Sequence, residues 1–70
     1  MVLTLREWRR VKEITQKTMS EQLNIHINTY QKWEKRPGTI PFDYAVKIAR
    51  VLDVPLDEII FKTERTEELV

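Results

Sequence analysis

TQKTMSEQLNIHINTYQKWE, residues 15–34, decides how the rest of the chain is read. Its apolar residues are Met19, Leu23, Ile25, Tyr30 and Trp33. Met19 and Leu23 stand four apart and share one helical face. Ile25, two positions further on, cannot continue that face, and a second stripe starts at Tyr30 and Trp33, three apart. The spacing predicts two short helices whose apolar faces meet around a buried turn residue, Ile25.

The local signals on either side agree. Thr15 is placed to cap a helix over 16–23. Asn24 stands where the chain must turn sharply, and Asn tolerates a left-handed backbone better than any residue but glycine. His26 then caps a helix over 27–35, less well than Ser or Thr would. Two helices joined in this way form a helix-turn-helix, which holds its second helix out to enter a DNA major groove.

Upstream, Thr4 and Glu7 form the signature of a capping box opening a helix over 5–13. Leu5, Trp8 and either Val11 or the stem of Lys12 give it an inner face. Downstream, KRPGT at 35–39 breaks the pattern, with Pro37 and Gly38 as turn residues. Pro41 lies near the start of a fourth helix over 41–52. Phe42, Ala45, Val46, Ile48, Ala49 and Leu52 supply its broad apolar stripe. Pro55 stops it, and a short fifth helix is expected over 56–61, with Leu56, Ile59 and Ile60 or Phe61 closing the core. Residues 62–70 read as a polar tail or helical extension. The expected fold is one compact, all-α, five-helix domain spanning residues 1–61.

Composition narrows the chemistry. Seventy residues make one small domain, of a size at which a helical bundle or a dimer helps stability. The chain has no cysteine and a single histidine, His26, so neither disulfides nor a thiolate or His-based metal site is expected. There is no glycine-rich phosphate loop. Asp57-Glu58 reads as dipole-compatible acid at a helix start rather than a catalytic pair. No enzyme activity, cofactor or small-molecule ligand is expected. No apolar run reaches the ~18 residues of a membrane span, so the expected setting is cytoplasmic, with no membrane partner. The net charge of +1 hides an asymmetry: residues 1–50 carry ten Lys/Arg against five Asp/Glu, and residues 51–70 carry two against six. A basic body suits a polyanion.

Arg9, Thr15-Gln16, Leu23, Ile25, Tyr30, Trp33-Glu34, Ala49, Leu52, Val54 and Leu56, at these spacings, make the chain resemble the phage-repressor and Cro-like (XRE) helix-turn-helix family. The resemblance covers about Leu5 to Phe61. It implies a lambda-repressor-like fold and sequence-specific binding of double-stranded DNA, usually by a dimer on a palindromic operator. It also places Arg9 and Glu34 as a partly buried ion pair joining the first helix to the third. The chain departs from the family where glycine is common, at Glu13, Asn24 and Arg36, and carries Ser20 where alanine is usual. Gly38 is expected to take over the turn role at Arg36.

The first turn of a groove-entering helix, and the residue one turn on, face the base edges. That selects Ile27, Asn28, Thr29 and Lys32. Ile27 lies outside both apolar stripes; it reads either as a contact to a thymine methyl or as a staple at the helix start. Asn28 can pair with adenine or help the cap, and Lys32 can reach guanine, a phosphate or solvent. Gln16 sits at a helix N-terminus, where a phosphate is favoured. Gln31, Lys35 and Arg36 would flank the groove as backbone contacts, with Lys17 a weaker one. Arg10 and Lys12 read as plain surface charges. Trp8, Tyr30 and Trp33 could stack on bases, but their helical spacing favours the core.

The leading reading is a small repressor acting as a homodimer. The second is a protein-interaction module, such as an antitoxin or antirepressor. Ile59, Ile60, Phe61 and Leu69 prompt that alternative; they could equally close the core and form a homodimer seam.

Overall fold

The computed structural model describes residues 1–62. In chain order these form strand β1 (Leu3–Thr4), helices α1 (Leu5–Val11), α2 (Gln16–Leu23) and α3 (Ile27–Lys35), a 3-10 turn (Pro37–Thr39), helix α4 (Phe42–Leu52), a second 3-10 turn (Leu56–Glu58) and strand β2 (Ile59–Ile60). The expected tail over 62–70 lies, from residue 63, outside the described residues.

The starts of α1, α2 and α3 follow from side-chain capping. Thr4 accepts from the Glu7 amide while the Glu7 carboxylate accepts from the Thr4 amide, closing the capping box of α1. Thr15 Oγ1 accepts from the Thr18 amide at 3.0 Å. His26 caps α3 through Nδ1, which accepts from the Asn28 amide at 3.1 Å.

The ends of α1, α2 and α4 share one device. Glu13, Asn24 and Asp53 all adopt the left-handed conformation, with φ of 59°, 57° and 59°. After each comes a β-branched apolar residue, Ile14, Ile25 or Val54, whose amide reaches back to the carbonyls of Arg9, Ser20 and Ala49 at 3.0–3.1 Å. These are Schellman closures, in which the residue after the left-handed turn packs onto the helix it ends. Ile14, Ile25 and Val54 are accordingly half-buried against the core. The chain thus makes without glycine the turns at Glu13 and Asn24. Arg36 has φ −132° and needs no glycine; Gly38 has no positive φ and sits within a 3-10 turn, so it does not take over a left-handed role.

The core gathers Leu5, Trp8, Met19, Leu23, Tyr30, Trp33, Ile48, Ala49, Leu52 and Ile59. Ser20, also buried, turns its hydroxyl back to the Lys17 carbonyl at 2.7 Å, so its polar atom is satisfied within α2. Trp33 packs on Tyr44 with ring centroids 5.1 Å apart.

The expected inner faces need three corrections. Val11 is exposed, and α1 ends there rather than at residue 13. Lys12 is also exposed, though its ammonium lies 6.0 Å from the centre of the Trp8 ring. Phe42, placed by periodicity in the α4 stripe, is 70% exposed.

The largest departure concerns the expected fifth helix. Residues 56–61 make a single 3-10 turn and then run extended, so the described residues hold four α-helices. Ile59 and Ile60 pair in parallel with Leu3 and Thr4, and Trp8 Nε1 donates to the Glu58 carbonyl at 2.7 Å. Two adjacent β-branched residues suit a strand once a partner edge exists. Here the edge is the very start of the chain.

Candidate nucleic-acid interface

Helix α3 turns two different faces outward and inward. Tyr30, Trp33 and Glu34 are buried. Asn28, Gln31, Lys32 and Lys35 are exposed, and Ile27 and Thr29 are half-buried. Ile27 is therefore less open than its position outside the stripes implied, yet it is not among the half-buried apolar residues packed on the core. Asn28 is not needed as a cap, because His26 supplies it. Its side chain is left to the surface.

The inner face is fixed by one carboxylate. Glu34, with its side chain 1% exposed, lies against Arg9, whose Nε donates to Oε2 and whose second guanidinium nitrogen donates to Oε1 at 3.3 Å. Arg9 also donates to the Ile14 carbonyl at 2.9 Å, tying the pair to the turn after α1. The Tyr30 hydroxyl donates to Glu34 Oε2 at 2.6 Å, and Gln16 Nε2 donates to Oε1 at 2.9 Å. Three helices thus meet on one side chain.

Burial alone would raise the Glu34 pKa. The donors Arg9, Tyr30 and Gln16 outweigh it and hold the carboxyl below its ordinary value. The same contact raises Arg9, chiefly through the hydrogen bond to Glu34. Burial first, and then the bond to Glu34, pushes the Tyr30 phenol up. All three groups are thereby held in the ionisation state that the network needs.

Gln16, selected for a phosphate contact, is drawn into this network from the start of α2. It donates to Glu34 and accepts from Gln31 Nε2 at 3.2 Å. Each of these amide nitrogens has a second hydrogen, so both residues retain a donor for an anion. Lys17, Lys32, Lys35 and Arg36 are exposed. Arg6 of α1, which the sequence did not mark, stands beside Lys35, Gln16 and Gln31; its Nε is 3.7 Å from Glu34 Oε1. Periodicity on α1 alone could not find Arg6, since its neighbours come from α2 and α3.

Trp8, Tyr30 and Trp33 are 7%, 0% and 9% exposed. They are core residues and present no stacking platform. Ile59, expected at a dimer seam, is also interior, while Ile60 and Phe61 are half-buried. No cluster of His, Cys, Asp or Glu suited to a metal occurs among the described residues. Among the same residues no helix is long and apolar enough to cross a membrane.

A helix-turn-helix family model matches residues 5–59. The chain belongs to the XRE-type helix-turn-helix family. The match runs from the start of α1 to the first residue of β2, so it takes in every helix described above. Searches of curated proteins and of solved structures found no significant match. Membership of this DNA-binding family makes the protein a DNA-binding regulator whose partner is double-stranded DNA.

Proposed function

We propose that this helix-turn-helix protein is a sequence-specific repressor that binds a palindromic operator as a homodimer, with α3 in the major groove. The observation that carries the reading is the division of α3. One face is locked to α1 and α2 through Glu34, and the other offers Asn28 and Lys32 with Ile27 at the tip. A rigid inner face fixes the angle at which the outer face is presented, and register is what base readout requires. Ile27 supplies an apolar edge for a thymine methyl, Asn28 an amide for adenine, and Lys32 a donor for guanine. Thr29 completes the first turn.

Backbone phosphates fall to Gln16, Gln31, Lys35 and Arg36, with Lys17 at the margin. Self-association is assigned to Ile60 and Phe61, because Ile59 is spent inside the fold. A bound dimer would occlude a promoter, with half-sites roughly 34–36 Å apart, one helical turn.

Selection from a random pool of duplexes tests this directly. It should return a palindrome, and Lys32→Ala should relax the preference at one position of each half-site. The reading fails if no selected duplex outcompetes random DNA at moderate salt, or if the preferred sites lack two-fold symmetry.

A further inference from the structure

Arg6 is the charged residue that the readout face does not yet explain. It projects from the first turn of α1, the turn that carries the capping box, and its side chain is 48% exposed. Together with Gln16, Gln31 and Lys35 it lines a recess of about 310 Å³ where α1, α2 and α3 converge. These lining residues bring two cations and two amides and no carboxylate.

The nearest negative charge, Glu34, is 1% exposed and already bonded by Arg9, Tyr30 and Gln16. At 3.7 Å Arg6 Nε falls outside ordinary hydrogen-bond distance of that carboxylate. Arg6 and Arg9 both lie within ion-pair range of this one carboxylate, and with Lys35 beside them three cations face a single anion, which leaves a net positive charge at the recess. A guanidinium, an ammonium and two amide donors converging on an open recess match the oxygens of a phosphodiester.

We propose that this recess is a backbone-phosphate site and that Arg6 carries the DNA interface beyond the helix-turn-helix onto α1. The proposal rests on the DNA-reading role of α3. In that pose the duplex backbone on the α2 side of the groove passes Gln16 and Gln31 first and the Arg6–Lys35 pair next. The contact is to phosphate and so carries no base information.

The test measures affinity of wild type, Arg6→Gln and Arg6→Lys for the selected operator and for a scrambled duplex across a series of KCl concentrations. Arg6→Gln should weaken both duplexes about equally, by roughly three- to tenfold at moderate salt, and lower the log–log salt slope by about one contact's worth. Arg6→Lys should keep the slope, and thermal melts of all three proteins should coincide. An unchanged slope in Arg6→Gln overturns the proposal. So does an affinity loss matched by a lowered melting temperature, which would mark Arg6 as a support for Glu34. If wild type shows no preference for any operator, the reading of α3 fails instead. The Arg6 contribution would still be read from the slope on scrambled DNA.

Discussion

The inner and outer faces of α3 are built on opposite terms. Inside, Glu34 gathers donors from α1, α2 and its own helix, and no buried side-chain polar atom lacks a partner among the described residues. Outside, Asn28, Lys32 and Lys35 are exposed and hold positions that a nucleic acid can fill. The difference teaches that a single nine-residue helix can separate a face that holds the fold from one left open to a partner, which is where the proposed readout lies. Substitutions inside should unfold the domain without altering preference, and substitutions outside should do the reverse.

Glu34→Ala tests the inner side hardest. It strands Arg9 and the Tyr30 hydroxyl, and breaking a buried pair costs about 3–5 kcal/mol. Denaturant melts should show that loss. A loss below 1 kcal/mol would mean that the network is dispensable. The same carboxylate sets an acid limit. Its folded pKa lies below the unfolded value, so across that interval the unfolded chain binds the extra proton and stability rises with pH. The contribution is complete above the unfolded value of about 4.3 and is lost as pH falls through the folded value. Urea midpoints measured downward from pH 6 should therefore decline, and less so in Glu34→Gln.

Tyr30→Phe is the next largest change. It removes one hydrogen bond to a charged acceptor and should cost about 1.5–3 kcal/mol, with operator preference intact. Lys32→Ala is its mirror. Melting should be unchanged while discrimination at one base pair falls by about 1–3 kcal/mol, read by competition with single-mismatch duplexes. A matched loss of stability would blur the two faces. The smallest effect is expected at Glu13→Gly. Relief of a left-handed non-glycine residue, about 1–2 kcal/mol, is largely offset by the greater freedom of glycine when unfolded. A gain below about 1 kcal/mol with no change in DNA affinity is expected.

Much of the architecture was legible because it is local. The α2–turn–α3 passage is written in Thr15, Asn24, His26 and the spacing of Met19, Leu23, Tyr30 and Trp33, all within twenty residues. Its boundaries in the structure are those the sequence implied. The residues chosen for DNA contact fall on exposed or half-buried positions of α2, α3 and the turn after it. Two cases show why the rest was not legible. Leu56–Phe61 offers an apolar run too short to separate helix from strand by periodicity. Gln16 shows a helix start but not the carboxylate eighteen residues away that occupies it.

What the sequence determined by itself is the motif: two short helices, their caps and the left-handed turn between them. Each of these depends on residues within one or two turns of one another. Only the tertiary structure decided that Ile59–Ile60 becomes a strand, that Phe42 faces solvent, and that Arg6 stands beside Gln16, Gln31 and Lys35. These outcomes depend on which distant surface arrives as a partner. A pairing edge at Leu3–Thr4 or a recess between three helices exists only once the chain has closed on itself.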